Sequence, residues 1–121
     1  MTLVDTSIWI DHLRSPDTAL DNLLARRKVL CHPLVVGEIA MGSFRRRDKI
    51  LYELGRLQQA NIAEHREVLR FVTQQSLFGI GIGYIDAHLL ASVRLTQNAS
   101  LWTRDQRLAK VAESMKLAFR P

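Results

Sequence analysis

Short apolar runs alternate with longer amphipathic segments along this chain, and this alternation restricts the possible folds more than any other feature. The runs 1–5, 29–32 and 100–103 are rich in Val, Leu and Trp and are too short for buried helices. Segments with apolar residues at helical spacing lie between them, for example 46–60 and 64–78. Strands that alternate with helices form a parallel sheet covered by helices. We therefore predict a three-layer α/β/α fold around a central, mainly parallel sheet of four or five short strands.

Turn and cap residues indicate where other elements begin and end. Pro16 and Asp17 end one helical pattern and begin another, and Pro33 marks a junction between a strand and a helix. Two weaker strand candidates are 61–63, at an edge of the sheet, and 117–119, near the end of the chain. These two segments account for the uncertainty between four and five strands.

The remaining patterns predict helices and one flexible connection. Segments 46–60 and 64–78 are expected to pair as an exposed hairpin that offers a surface for a partner. Further helices are predicted at 84–95 and 106–115. The loop 79–83 contains three glycines without the full pattern of a dinucleotide-binding loop, and we interpret it as a hinge or connector.

Length and composition favour one ordinary globular unit. The chain has 121 residues and contains no repeat or Pro/Gly-rich linker, so we expect a single domain spanning 1–121. No apolar run approaches the roughly 20 residues that span a bilayer, and no signal-peptide pattern opens the chain, so we expect a cytoplasmic protein without a membrane partner. Cys31 is the only cysteine and is interpreted as a small buried hydrophobic residue.

Four acidic residues occupy positions where a folding chain has little structural need of them. Asp5 closes the first apolar run, and Asp105 follows the run 100–103, so both are predicted at the carboxyl ends of parallel strands. That edge of a parallel sheet is where ligands bind. Glu38 and Asp86 are expected in the first turns of helices over the same edge. Because carboxylates are rarely buried without a partner, their joint placement favours a common site.

Three of these acids also have ordinary structural explanations. Asp5 and Asp105 could each be the N-cap of the helix that follows. Asp86, near a helix start, could complement the helix dipole. Glu38 is harder to explain in this way, because its neighbours in the sequence are apolar residues and glycine.

The charge of the chain indicates what such a site would face. Seventeen Lys and Arg against twelve Asp and Glu give a net charge of +5, which favours polyanionic partners. Clustered carboxylates repel one another, and Mg²⁺ or Mn²⁺, which prefer hard oxygen ligands, reverses that repulsion. A hydroxyl of Thr6, Ser7 or Thr103 could orient a water molecule or a phosphate. The pattern therefore predicts a metal-dependent nuclease.

The motifs around these acids follow one another in a recognisable order. They are V-D-T-S-I-W-I at 4–10, Glu38 in its apolar helix, G-Y-I-D-A-H-L-L-A at 83–91, and L-W-T-R-D at 101–105. In order and spacing they resemble the PIN-domain family, and most closely its VapC-type toxins from bacterial toxin–antitoxin pairs. The resemblance spans essentially the whole chain, and its V-D-T-S and T-x-D motifs are specific when they occur together.

The resemblance implies a PIN fold and a Mg²⁺- or Mn²⁺-dependent endoribonuclease in which an ion-activated water hydrolyses RNA phosphodiester bonds. It also implies structured RNA substrates such as tRNA or rRNA, a homodimer, and neutralisation by a VapB-like antitoxin. The residues that match the family's acidic metal ligands are Asp5, Glu38, Asp86 and Asp105. The residues that match its neighbouring hydroxyl positions are Thr6 and Thr103.

Basic, aromatic and histidine residues carry weaker signals. Arg104, next to Asp105, is our preferred candidate for a contact with a substrate phosphate. The basic clusters 26–28 and 45–49 fit phosphate contacts or solvated helix faces about equally well. The four histidines show no zinc-binding spacing and are expected to be structural or exposed. The tryptophans are expected in the core or at an interface.

Two other functions agree with parts of the sequence. A phosphoacceptor signalling domain is also an α/β unit with acids at strand ends, but it requires five strict βα units and a lysine after a late strand, neither of which is clear here. Labelling of Asp5 by acetyl phosphate would support it. A non-catalytic nucleic-acid-binding module would explain the net charge alone, and it predicts RNA binding that chelators leave unchanged.

Overall fold

A sheet of four short parallel strands lies at the centre of the protein. In the computed structural model, which describes residues 1–121, the strands are β1 (Thr2–Val4), β2 (Val29–Cys31), β3 (Gln58–Gln59) and β4 (Ser100–Trp102). Their order across the sheet is β3-β2-β1-β4, and every pairing is parallel. Leu3 is in register with Leu30 on one side and with Leu101 on the other. The predicted α/β fold with a parallel sheet of four strands is confirmed.

Six helices connect the strands, a seventh follows β4, and the helices cover both faces of the sheet. They are α1 (Thr6–Arg14), α2 (Thr18–Ala25), α3 (Pro33–Ala40), α4 (Arg47–Gly55), α5 (His65–Gln74), α6 (Tyr84–Leu95) and α7 (Gln106–Ser114). Because parallel crossovers are right-handed, the helices between β1, β2 and β3 lie on one face, and the return from β3 to β4 places α5 and α6 on the other. In agreement, α3 packs on α1 and α4, whereas α5 packs on α6. None of the helices combines the length and the apolar character needed to cross a membrane.

The strands and the inner faces of the helices form the main apolar core, and a smaller buried cluster lies where α5 packs on α6. Leu3, Leu30 and Leu101, on three neighbouring strands, are almost completely buried. Trp9 and Trp102 are only 5% exposed and lie in the core, one of the two locations predicted for them. The free thiol of Cys31 is buried as well, as expected for a small hydrophobic residue.

The edge strand β3 lies at a different place in the sequence than predicted. The helix predicted over 46–60 ends at Gly55, and the chain pairs with β2 through Gln58–Gln59 rather than through 61–63. Both glutamine side chains are exposed, so this strand is held by backbone hydrogen bonds and has no apolar pattern to reveal it. The expected hairpin of 46–60 with 64–78 is also wrong, because β3 separates the two helices and each packs on a different neighbour.

The last predicted strand is reduced to a single bridge. The segment 117–119 pairs with β4 only through Leu101 and Ala118. The Leu101 N–H donates to the carbonyl of Leu117, and the Phe119 N–H donates to the carbonyl of Leu101. This bridge extends β4 on its outer side without adding a fifth full strand.

His32 caps α3 from inside the core. Its Nδ1 accepts a hydrogen bond from the Leu34 N–H at 3.0 Å, and its Nε2 lies 3.1 Å from the hydroxyl oxygen of Ser92 on α6. Because Nδ1 accepts, the ring is neutral with its proton on Nε2, which donates to Ser92. Burial, together with the neighbouring ring of His88, lowers the pKa of His32 to about 4. The structural role expected of the histidines is confirmed for His32.

We expect the free energy of unfolding to decrease as the pH falls from 6.5 towards about 4, because the unfolded chain binds a proton at His32 that the folded chain does not. His32→Asn retains a cap acceptor and should remove much of this pH dependence, whatever its effect on stability at neutral pH. Urea denaturation across this pH range measures the slope. His65→Asn, at an exposed histidine, is the matched control, and an equal slope in His32→Asn and wild type would contradict the prediction.

Candidate active site

The carboxyl ends of β1 and β4 meet where the chain changes direction across the sheet. From β1 the chain proceeds to β2 and β3 on one side, and it then returns to β4 on the other. In open α/β sheets, ligands bind in the crevice at such a point. Asp5 follows β1 directly, and the loop 103–105 follows β4. The backbone N–H of Asp5 donates to the carbonyl of Trp102 at 2.9 Å, so the two segments are joined at this edge.

Two hydroxyls hold the carboxylate of Asp5. Its Oδ2 accepts hydrogen bonds from Ser7 Oγ at 2.8 Å and from Thr103 Oγ1 at 2.7 Å. Asp5 occupies the N-cap position of α1, but its side chain makes no capping hydrogen bond. The capping explanation therefore fails for Asp5, which is buried and linked instead to residues at both strand ends.

The same two hydroxyls fix the loop that carries Asp105. Thr103 Oγ1 accepts from the Asp105 N–H at 3.0 Å, and Ser7 Oγ accepts from the Arg104 N–H at 3.1 Å. Each hydroxyl thus donates to Asp5 and accepts from the loop. Ser7 lies outside the positions matched by the family resemblance, although the V-D-T-S motif contains it. In this structure the hydroxyls position the carboxylate and its loop.

Glu38 reaches the site from a different part of its helix than predicted. It lies in the second half of α3, because that helix already begins at Pro33, immediately after β2 and its cap. Its side chain is exposed, whereas Val35 and Ile39 turn the apolar face of the helix into the core. Thr6, the first residue of α1, donates its hydroxyl to Glu38 Oε1 at 2.6 Å. The apolar neighbours of Glu38 in the sequence therefore do not bury it.

Asp86 and Asp105 each combine a helix-terminal role with a place near the other acids. Asp86, in the first turn of α6, accepts from the Gly83 N–H at 3.2 Å. Asp105 is the N-cap of α7 and accepts from the Leu108 N–H through Oδ1 at 3.0 Å. The structural explanations are thus observed for these two residues, and they leave the carboxylate charges without a cationic partner.

The charges of Asp5, Glu38 and Asp105 act on the carboxylate of Asp86. Burial raises the pKa of Asp86, its hydrogen bond from Gly83 partly offsets that rise, and the negative charges of the other three acids raise the pKa further. No Lys or Arg forms an ion pair with any of the four, although basic residues outnumber acidic ones in this chain. The fold thus gathers repelling charges and does not neutralise them with its own side chains.

The donor set fits a hydrated hard cation. All its side-chain donors are carboxylate or hydroxyl oxygens, the ligands that Mg²⁺ and Mn²⁺ prefer. No three Asp, Glu, His or Cys side chains converge closely enough to form a complete metal cage. Mg²⁺ does not require one, since it retains several waters and is commonly held by one or two carboxylates. A structural zinc site is excluded by the same geometry and by the absence of thiolate and imidazole donors here.

Arg104 forms ion pairs with two aspartates that are not among the four acids. Its Nε lies 2.6 Å from Asp11 Oδ2, and its Nη2 lies 3.0 Å from Asp17 Oδ2. These pairs tie the loop after β4 to the end of α1 and to the start of α2. Although Arg104 is next to Asp105 in the sequence, its guanidinium does not point to the four acids. To contact a substrate phosphate as predicted, it would have to break its ion pairs with Asp11 and Asp17.

Comparison with known proteins identifies the family. The model of the PIN domain family matches residues 2–114. The chain therefore belongs to the PIN-domain family. Ribonuclease VapC32 of Mycobacterium tuberculosis, from strains CDC 1551 / Oshkosh and ATCC 25618 / H37Rv, is 51% identical over 115 residues, which cover 94% of this chain and 93% of the relative. The resemblance to VapC-type proteins is thus confirmed.

A solved structure supports the fold independently. The crystal structure of FitAcB from Neisseria gonorrhoeae aligns with a TM-score of 0.61 at 20% sequence identity. The alignment covers 93% of this chain and 94% of that chain. At this identity the likeness concerns the arrangement of helices and strands.

Proposed function

We propose that this chain is a VapC-like toxin, a metal-dependent endoribonuclease that hydrolyses RNA phosphodiester bonds by means of an ion-activated water. The observation that carries the proposal is the group of four carboxylates from two strand ends and two helices, which repel one another and have no basic partner. Such a group is stabilised by a divalent cation. The name of the relatives, Ribonuclease VapC32, supports RNA as the substrate.

The proposed metal ligands are Asp5, Glu38, Asp86 and Asp105, acting directly or through water on one or two Mg²⁺ or Mn²⁺ ions. When bound, such an ion polarises a phosphoryl oxygen and lowers the pKa of a coordinated water. Ser7 and Thr103 hold Oδ2 of Asp5 and leave its Oδ1 without a protein donor. Thr6 orients one oxygen of Glu38 in the same way. These hydroxyls therefore set the directions of the carboxylates before an ion or a substrate arrives.

The surroundings of the acids suit a polymeric anion. Glu38 and Asp105 are exposed, and the larger cavities of the fold are lined by other residues. A net charge of +5 that includes these acids leaves the rest of the surface more basic still. We propose structured RNA, such as tRNA or rRNA, as the substrate class.

We further propose that residues 1–121 act as one PIN domain that forms a homodimer and binds a VapB-like antitoxin. Large apolar side chains exposed on the surface are available for these contacts, including Met41 at 88%, Tyr52 at 66% and Phe78 at 65%. An adjacent gene whose product binds this chain and restores growth on co-expression would support the antitoxin. A gel-filtration mass of one chain at micromolar concentration would contradict the homodimer.

Cleavage of RNA by the purified protein tests the proposed activity. We expect a preparation of tRNA and rRNA to be cut in Mg²⁺ or Mn²⁺, to remain intact in EDTA, and to be cut again when the ion is restored. Hydrolysis by water leaves no 2′,3′-cyclic phosphate, since the 2′-hydroxyl does not attack. Cyclic phosphate ends, or cleavage in EDTA, would contradict the mechanism. If the protein binds RNA but does not cleave it in Mg²⁺, in Mn²⁺ or in EDTA, the result would favour the non-catalytic nucleic-acid-binding module.

Thr103→Val is expected to lower the cleavage rate about 10–100-fold, the usual effect of removing a group that orients a metal ligand. The variant loses both the donor to Asp5 and the acceptor for the Asp105 N–H, whereas Thr103→Ser retains both. Cleavage rates measured over a series of Mn²⁺ concentrations should show weaker metal activation in the valine variant and nearly normal activation in the serine variant. Equal rates for Thr103→Val and wild type would show that this hydroxyl has no positioning role.

A further inference from the structure

Arg107 is an arginine without an ion pair on α7, the helix that Asp105 caps. It is exposed, it lies in the first turn of α7, and it follows Asp105 by two positions. Its guanidinium forms no ion pair, whereas that of Arg104 is bound by two aspartates. The two arginines flank Asp105 in the sequence and have opposite environments in the fold.

The side chain of Arg107 packs against the backbone of the glycine loop before α6. A β-carbon built on Gly81 would lie 2.5 Å from Nη1 of Arg107 and 3.0 Å from its Cδ. Gly81 also has a φ of +88°, a conformation that other residues rarely adopt. Only glycine therefore allows the arginine to lie so close to this loop. The contact gives a specific role to one of the three glycines in 79–83.

This contact places the guanidinium between the segments that carry two of the acids. Gly81 precedes Gly83, whose N–H is bound by Asp86, and Arg107 follows Asp105. Asp105 is near enough to Asp86 for its negative charge to raise the pKa of Asp86. Arg107 nevertheless pairs with neither, so its donors remain available to a ligand at the edge of the site.

We propose that Arg107 binds a phosphate of the RNA beside the carboxylates and that Gly81 holds its side chain in place for this contact. A guanidinium presents several donors in one plane and binds phosphate oxygens in pairs, which a solvated arginine with no protein acceptor is free to do. This inference rests on the proposed ribonuclease function, because it requires RNA at this site. The phosphate contact that the sequence analysis expected at Arg104 is thus assigned to Arg107, which the sequence did not single out.

Binding of fluorescein-labelled, unfractionated tRNA tests this assignment. All variants are made in the Asp5→Asn protein with Mg²⁺ present, so that affinity is measured without cleavage. Arg107→Gln should raise Kd about 3–10-fold and reduce the slope of log Kd against log salt concentration by about 0.7–0.9, the loss expected for one phosphate contact. Gly81→Ala should also raise Kd without changing the charge, because its β-carbon displaces Arg107.

Matched controls separate a local contact from a general loss of charge. Arg26→Gln removes the same charge at an exposed arginine of the basic cluster 26–28, which the structure places before the amino end of β2, whereas Asp5 and Asp105 follow the carboxyl ends of the strands. Gly55→Ala adds a β-carbon where no atom lies within 4 Å. Both controls should bind tRNA like the parent protein, and melting temperatures confirm that each variant is folded.

The outcomes distinguish this inference from the function on which it rests. Equal affinities and salt slopes for Arg107→Gln and Arg26→Gln would overturn the role of Arg107, as would a parent protein that fails to bind tRNA. Cleavage by the wild-type protein in the same ions reports separately on the nuclease. A wild type that cleaves while Arg107→Gln binds normally therefore refutes the inference and leaves the proposed function standing.

Discussion

Asp5→Asn is expected to reduce the rate of RNA cleavage by roughly 10³-fold, the equivalent of about 4 kcal/mol of activation free energy. The asparagine oxygen can still accept the hydroxyls of Ser7 and Thr103, so the shape of the site should persist. The negative charge that would hold a divalent cation is lost. Initial rates of tRNA cleavage in Mn²⁺ measure the loss of activity. Melting temperatures of the variant and the wild type show whether the fold persists.

Asp48→Asn is the matched control for this experiment. Asp48 lies on α4, its side chain is fully exposed, and its substitution changes the net charge by the same amount. We expect its cleavage rate to match that of wild type. If Asp5→Asn cleaves as fast as Asp48→Asn, or if it fails to fold, Asp5 does not have the proposed role.

Asp86→Asn is expected to abolish cleavage and at the same time to stabilise the metal-free protein at neutral pH. Burial and the charges of the other acids raise the pKa of Asp86 above its ordinary value of 3.8. The folded chain therefore holds a proton at Asp86 more tightly than the unfolded chain does. Stability is lost as the pH rises from 3.8 through the raised pKa, and at pH 7 the ionised carboxylate is unfavourable.

Asparagine removes that charge and can still accept from the Gly83 N–H. We expect a gain in melting temperature of roughly 2–5 °C at pH 7 in EDTA, which shrinks as the pH approaches the ordinary pKa of aspartate. Mg²⁺ or Mn²⁺ should then stabilise wild type more than the variant, because a cation that binds only the folded state raises its melting temperature. A lower melting temperature for Asp86→Asn at neutral pH in EDTA would contradict the repulsion among the acids.

The sequence predicts β1, β2 and β4 because most of their side chains are apolar and buried. β1, β2 and β4 bury Val, Leu and Trp side chains, so a short apolar run identifies each of them. β3 consists of two exposed glutamines held only by backbone pairing, and no side-chain pattern can reveal such a strand. Helices α4 and α5 lie within the predicted segments 46–60 and 64–78, but the first prediction runs on through β3 and the predicted pairing is wrong, because that strand separates the two helices.

The sequence predicts the positions of those site residues that directly follow a strand, because the strand order determines where they lie. Asp5 and Asp105 follow adjacent parallel strands, so the order of the sheet brings them together. The position of Glu38 within α3 depends on where that helix begins, which apolar neighbours do not reveal. The partners of Arg104 and Arg107 depend on side-chain directions and on contacts between distant segments. No local pattern in the sequence encodes those contacts.

The RNA ends produced in cells after induction of this chain provide the decisive comparison between wild type and Asp5→Asn. Induction of wild type should generate discrete new ends within structured RNA such as tRNA or rRNA. The same ends should be absent when Asp5→Asn is produced at an equal level. The same set of ends in both strains, or no new ends with folded wild-type protein, would contradict a nuclease that depends on this carboxylate.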